Sequence, residues 1–168
     1  NQTVTVTTTD DDSAGFTKSQ TTRTVAETGT TATFTLVLNA EPASDVVLRV
    51  TSADTGEVTV GAADYTFTSG NWDTPQTVTL TGINDTIVDT NTQTTVTITV
   101  VDASSDNNFD SLADQTVTVT TTDNETASFT KSETTQTVTE AGGTDTFTLV
   151  LGAQPATDVV LGVVSADT

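Results

Sequence analysis

The stretch "TFTLVLNAEPASDVVL", residues 33–48, carries the pattern that decides the fold. Phe34, Leu36 and Leu38 alternate with threonine and valine, so these three side chains share one face of an extended chain. After a short loop the alternation resumes at Val46. A period of two is typical of a β-strand that is buried on one side. The stretch therefore predicts two consecutive half-buried strands.

Similar alternation recurs along the chain, and no segment shows apolar residues at helical spacing. Threonine supplies 46 of the 168 residues, and its β-branched side chain suits strands. The predicted strands are Phe16–Ser19 with Thr22–Ala26 as a split first edge strand, Thr31–Asn39, Asp45–Ser52, Tyr65–Thr68, Gln76–Thr81, Thr92–Val101 and Gln115–Thr122. Seven short strands in about 110 residues predict an all-β, immunoglobulin-like antiparallel β-sandwich. The large core members are expected to be Phe34, Phe67, Trp72 and Phe109.

The chain repeats itself. Residues 2–55 align without a gap with residues 115–168, with 39 identities in 54 positions and a spacing of 113. This period is the size of a domain and is too long for a solenoid unit. We therefore expect a tandem array, in which residues 1–12 are the last strand of a preceding repeat, 13–125 a complete repeat and 126–168 the first strands of the following one. The natural protein is expected to be longer at both ends.

Composition limits the partners. The chain has 23 acidic and 4 basic residues and a net charge of −19, which repels nucleic acid and anionic lipid and attracts divalent cations. It has no cysteine, histidine or methionine, so disulfides and thiolate or imidazole metal ligands are excluded. No apolar run approaches the roughly 20 residues of a transmembrane helix, so membrane insertion within this segment is not expected.

Acidic side chains follow alternate strands of the predicted sandwich. Because neighbouring strands alternate in direction, the first, third, fifth and seventh strands end at the same pole. The residues after those ends are Glu27, Asp54, Asp85, Asp89, Asp123, Asn124 and Glu125. Calcium takes 6–8 oxygen ligands from such groups, so the sequence predicts a Ca²⁺ site at the junction between repeats. The alternative is a set of solvated loop residues, with Asp54 capping a turn.

The entry pole of the complete repeat is also acidic. Asp10, Asp11 and Asp12 correspond to the acids and amide after the seventh strand and are therefore candidate ligands from the preceding repeat. They are expected to face the long loop after the sixth strand, where a bridging ion is conceivable. The alternative for that loop is a polar segment with Phe109 and Leu112 tucked into the core.

These residues resemble the Calx-β domain, a calcium-binding sandwich found in sodium–calcium exchangers and large bacterial surface proteins. The matching positions are Glu27 in "VAETG", Asp54 in "SADTGE", Asp64 and Tyr65, Asp85 and Asp89 in "GINDTIVD", and Asp123, Asn124 and Glu125 in "TTDNE". The chain departs from the family where Asn84 and Asn124 replace acids and where "TNTQ" follows Asp89. The resemblance implies calcium-dependent rigidity of a surface array and no catalysis.

An enzyme is not expected. Serine and threonine are abundant, but no histidine is present to activate them, and the lysines are Lys18 and Lys131 alone. An ice-binding surface is disfavoured because the threonine runs fall at irregular intervals. Asn84 and Asn124 fit the pattern for N-linked glycosylation, which the sequence leaves open.

The sequence thus predicts a structural repeat of an extracellular bacterial surface protein, an adhesin stalk or filament stiffened by Ca²⁺ at its junctions. Its expected partners are neighbouring repeats of the same chain, with lateral or head-to-tail self-assembly as a further possibility. The alternative is a calcium-independent extracellular filament or surface-layer subunit held by strand exchange.

Overall fold

The computed structural model describes residues 1–166, and its regular structure is almost entirely β-strand. Two sheets pack face to face between residues 16 and 122. The four-stranded sheet contains, in spatial order, β1 (Phe16–Lys18), β3 (Thr31–Leu38), β7 (Gln76–Gly82) and β5 (Val58–Val60). The five-stranded sheet contains β2 (Thr22–Ala26), β10 (Gln115–Thr122), β9 (Thr92–Val100), β4 (Val46–Ser52) and β6 (Asp64–Phe67). The predicted all-β, immunoglobulin-like fold is confirmed.

The first edge strand is divided between the two sheets. β1 pairs antiparallel with β3, and β2 then crosses to the other sheet and pairs in parallel with β10. The register of the second pair runs from Thr22 opposite Thr118 to Ala26 opposite Thr122. Because the two strands are parallel, β2 and β10 end at the same edge of the molecule.

The alternating apolar residues form one core between the sheets. Phe34, Phe67 and Phe109 are buried as predicted, and Trp72 is partly buried against the core. Two short strands of the structure are not predicted by the sequence pattern. These are β5, which pairs with β7, and β8 (Ile87–Val88) in the loop that follows β7.

Segments flank the sandwich at both ends. Residues 1–15 contain no strand, so assigning residues 1–12 to a preceding repeat stays a prediction. After the sandwich, β11 (Phe129–Lys131) pairs antiparallel with β12 (Leu149–Leu151). Phe129 lies opposite Leu151, as Phe16 lies opposite Leu38, so this pairing copies that of β1 with β3.

Two further elements complete the description. β13 (Gln154–Pro155) pairs in parallel with β8, and a short 3₁₀ turn covers Asp102–Ser104. Among residues 1–166, no helix is long and apolar enough to cross a membrane.

Candidate metal site

Six acidic residues meet at one pole of the sandwich. They form three overlapping groups, and within each group one carboxylate oxygen per residue lies within 4.8 Å of the others. The groups are Glu27 with Asp85 and Glu125, Glu27 with Asp89 and Asp123, and Glu57 with Asp85 and Asp89. We call these six residues the acidic pole.

Strand direction brings these residues together. Glu27 follows β2, and Asp123 and Glu125 follow β10, its parallel neighbour. The backbone N–H of Glu27 donates to the carbonyl oxygen of Thr122 at 3.2 Å, which extends the pairing to the point where both strands end. The loop after β7 supplies the remaining acids of the first two groups. The predicted convergence of loops therefore exists in the structure for these residues.

Glu27 is the most deeply buried acid of the pole. Its side chain is 1% exposed, and its Oε2 atom has no hydrogen-bond partner. Burial, a hydrogen bond shared with Glu125 and the charge of Asp85 together raise the pKa of Glu27 to about 7. The N–H of Asn124 acts in the opposite direction. Without a cation, Glu27 is therefore partly protonated near neutral pH.

Glu57 belongs to the pole although the sequence pattern does not predict it. It is 8% exposed and directly precedes β5, and its Oε2 atom is buried without a partner. Burial raises the pKa of Glu57, and the charge of Asp89 adds to the effect. Asp89 also has a buried oxygen, Oδ1, without a partner. Unpartnered oxygens on three of the acids are unusual, because buried polar atoms are almost always hydrogen-bonded.

Asp123 is held in its ionised form. The N–H of Glu125 donates to Oδ1 at 2.7 Å, and the N–H of Thr90 donates to Oδ2 at 2.9 Å. These backbone donors lower the pKa of Asp123. Thr90 reaches this position with a φ of 70°, a left-handed conformation that costs a β-branched residue about 1–2 kcal/mol. The loop that carries Asp89 is thus strained at the acidic pole.

Two further predicted ligands, Asp54 and Asn124, lie directly beside the six acids. Asp54 is exposed, and its Oδ1 accepts the N–H of Gly56 at 2.9 Å, so it caps a turn. The structure thus contains the turn cap that was the alternative for this residue. The amide nitrogen of Asn124 donates to the carboxylate oxygens of Glu125 at 2.6 and 2.8 Å, and the other end of the amide lies 2.8 Å from Oδ1 of Asn84.

The three candidate ligands from residues 10–12 lie apart from the acidic pole. Asp10, Asp11 and Asp12 are exposed and group only with one another. Asp10 and Asp12 line a depression at the opposite pole, beside Glu41 and Phe109. Asn108 and Phe109 of the long loop line the same depression, so Asp10 and Asp12 lie against the loop that they were expected to face.

At that opposite pole, Asp106 fixes the long loop after β9 through hydrogen bonds. Asp106 is 5% exposed and accepts the N–H groups of Ala43 at 2.7 Å, Ser44 at 3.0 Å and Asn108 at 3.0 Å. These donors lower the pKa of Asp106. Phe109 is buried and Leu112 packs partly buried against the core, as the alternative for this loop predicts.

Comparison with known proteins shows the fold and nothing finer. No protein-family profile and no curated protein matches the sequence. A structure described as a chaperone–tip adhesin complex of CFA/I fimbriae biogenesis is similar with a TM-score of 0.50 and 10% identity, over 72% of this chain and 64% of that one. The periplasmic chaperone SfaE gives 0.49 and 9% over 66% of this chain. The PapD-like domain 7 of human CEP192 gives 0.45 and 10% over 74% of this chain and 96% of that one. The matched region spans 58% of SfaE.

Proposed function

We propose that the protein is a structural repeat of an extracellular bacterial surface protein, similar to a Calx-β domain, whose acidic pole binds Ca²⁺. In this proposal the bound cation fixes the loops at the exit of one repeat and thereby stiffens its junction with the next. The protein performs no chemical reaction. Its partners are the neighbouring repeats of the same chain.

One observation carries the proposal: Glu27 is buried among other carboxylates, and its Oε2 has no hydrogen-bond partner. A buried acceptor oxygen that is left unpartnered costs about 1–3 kcal/mol. Glu27 lies in two of the acidic groups. Glu57 lies in the third, and its Oε2 is likewise buried without a partner. A cation among these oxygens would satisfy the unpartnered atoms and would oppose both the burial and the repulsion that raise the pKa of the two glutamates.

The donor set fits Ca²⁺ better than other metals. All six residues offer carboxylate oxygens, and the chain has no cysteine or histidine for the softer metals. Magnesium requires near-ideal octahedral geometry and keeps most of its waters, whereas Ca²⁺ accepts six to eight protein oxygens in flexible geometry. Extracellular calcium modules bind with dissociation constants of roughly 10⁻⁴–10⁻³ M, and we expect the acidic pole to bind in this range.

Thermal melting with chelator, with calcium and with magnesium tests the proposal. About 5 mM calcium exceeds the affinity range of extracellular sites, and it should stabilise the fold by about 1–2 kcal/mol. Magnesium should give much less. Identical melting curves in all three conditions would refute the proposal.

The chain offers a matched control for this experiment. Glu140 is the counterpart of Glu27 at a spacing of 113, and it is exposed. We expect Glu27→Gln to abolish most of the calcium effect and Glu140→Gln to leave it intact. Loss of the effect in both variants would mean that overall charge, and not the acidic pole, binds the cation.

A second candidate function is a filament held by strand exchange without calcium. Residues 2–9 are identical to β10, but Val4 and Val6 are 88% and 83% exposed, whereas Val117 and Val119 in β10 are fully buried. An unpaired copy of a core strand is suited to pair with another molecule. Sedimentation that shows concentration-dependent polymers in chelator, lost on Val4→Asp, would favour this candidate.

A further inference from the structure

The loop after β7 makes contact with the segment that follows the sandwich. Its two-residue strand β8 pairs in parallel with β13. The N–H of Gln154 donates to the carbonyl oxygen of Thr86 at 3.0 Å, and the Thr86 hydroxyl lies 3.5 Å from Oε1 of Gln154. Gln154 and Pro155 belong to the turn that corresponds to Glu41 and Pro42 in the complete sandwich.

Apolar side chains surround this contact. Val88 faces an apolar pocket whose lining includes Phe129, Leu151, Pro155 and Val159 from the following segment. The docked surface thus includes the β11–β12 pairing that copies the start of the complete sandwich. Its occupant is the segment after the sandwich, whose sequence copies the beginning of the complete sandwich.

The same loop supplies two acids of the acidic pole. Asp85 precedes β8 by two residues and Asp89 follows it directly. The N–H of Ile87 donates to Oδ1 of Asp85 at 2.7 Å, so the carboxylate holds the first residue of β8. On the other side, the strained Thr90 is held by Asp123. β8, the strand that contacts the following segment, therefore lies between two residues of the acidic pole, Asp85 and Asp89.

We propose that this loop, residues 83–91, couples cation binding at the acidic pole to docking of the following repeat through β13. This inference rests on the proposed function. In the absence of a cation, Asp85 and Asp89 repel each other and the glutamates beside them, which pushes the two ends of β8 apart. A bound cation draws the same carboxylates together and holds β8 in the conformation that accepts Gln154. Linkage makes the effect reciprocal, so docking must also raise the affinity for calcium.

Calorimetric titration of calcium chloride into the full chain tests the reciprocal effect. Gln154→Pro removes the N–H that donates to Thr86, whereas Gln154→Ala keeps it and serves as the matched control. Neither variant touches an acid of the pole. Because one hydrogen bond contributes roughly a two- to tenfold change in an equilibrium constant, we expect Gln154→Pro to weaken calcium binding by that factor. Gln154→Ala should bind nearly as well as the unmodified chain.

A distance measurement tests whether calcium binding at the acidic pole orders the docking of the following segment. The chain has no cysteine, so spin labels can be placed at Thr77→Cys in β7 and Lys131→Cys in β11, both exposed positions. Calcium should narrow the distribution of distances between the labels, and Gln154→Pro should reduce the narrowing. Calcium binding with an unchanged distribution and an unchanged affinity in Gln154→Pro would overturn the coupling and leave the proposed function standing. No binding of calcium at all would overturn both.

Discussion

In the absence of calcium, the protein is expected to lose stability as the pH rises from about 5 to about 8. The pKa of Glu27 is raised from its ordinary value of 4.5 to about 7 by burial and by its carboxylate neighbours. Through this interval the folded protein retains a proton that the unfolded chain has released, so the free energy of unfolding falls as the pH rises. The full shift corresponds to at most about 3 kcal/mol. Glu57, whose pKa is also raised by burial, adds a change of the same sign.

Groups with a lowered pKa, which change the free energy of unfolding in the opposite direction, do not titrate between about pH 5 and 8. The pKa values of Asp106 and Asp123 are lowered from the ordinary 3.8, so their contribution to stability is present above that value and is lost as the pH falls below it. Between about pH 5 and 8 both remain ionised in the folded and unfolded states. The slope in this range therefore reports the buried glutamates.

Urea unfolding followed by the fluorescence of Trp72, the single tryptophan, measures the effect at several pH values in chelator. Glu27→Gln should remove the Glu27 share of the slope and make the protein more stable than the unmodified chain at pH 8. Glu140→Gln, at the exposed counterpart, should leave the slope unchanged. A stability in chelator that is flat or rises with pH would refute the argument, as would an unchanged slope in Glu27→Gln. Saturating calcium should reverse the trend, because a cation competes with the proton.

Three further changes test separate parts of the structure. Thr90→Asn replaces a β-branched residue at positive φ with one that tolerates this conformation, and it should stabilise the protein by about 1 kcal/mol in urea unfolding; no gain would show that the strain is absent. Gly82→Ala places a Cβ against the backbone carbonyl of Ala26, the residue before Glu27, so it should destabilise by about 1–3 kcal/mol and weaken calcium binding in calorimetry. Asp106→Ala leaves three N–H donors unpaired at the opposite pole, so it should lower the melting temperature without changing calcium affinity. A change in affinity there would show that the two poles are linked.

Alternation of side chains was sufficient to predict the main strands and the core. Leu36, Val78 and Ile98 are fully buried at the positions that a period of two assigns to the inner face. The short strands β5 and β8 were beyond this signal, because three or two residues are too few to establish a period. Their pairing is decided by neighbours distant in sequence, β7 for the first and β13 for the second.

The acidic pole was only partly predictable for a related reason. Counting acids after alternate strands found Glu27 and the acids of the loops after β7 and β10. The same pattern predicts Asp54 as a ligand and does not predict Glu57, although both residues lie in the same turn. Hydrogen bonding distinguishes them, because Asp54 turns its oxygen to the N–H of Gly56 while Glu57 enters the buried side of β5. A glutamate placed directly before an alternating "VTV" was the available signal.

The repeat in sequence also did not settle where equivalent residues lie. Asp10 and Asp123 occupy the same position in the alignment, but only Asp123 follows a paired strand and meets the loop that holds Thr90. The ligand set depends on β2 and the loop after β7 being close, which is a property of the assembled sandwich. A short motif such as "TTDDD" therefore does not make a site by itself.

Anomalous diffraction from crystals grown in calcium would locate the bound cation. We expect calcium peaks within about 2.3–2.6 Å of carboxylate oxygens of the acidic pole, with Glu27 and Asp85 among the ligands. Peaks confined to Asp10, Asp11 and Asp12, or no peak at a calcium concentration that alters the melting temperature, would contradict this expectation.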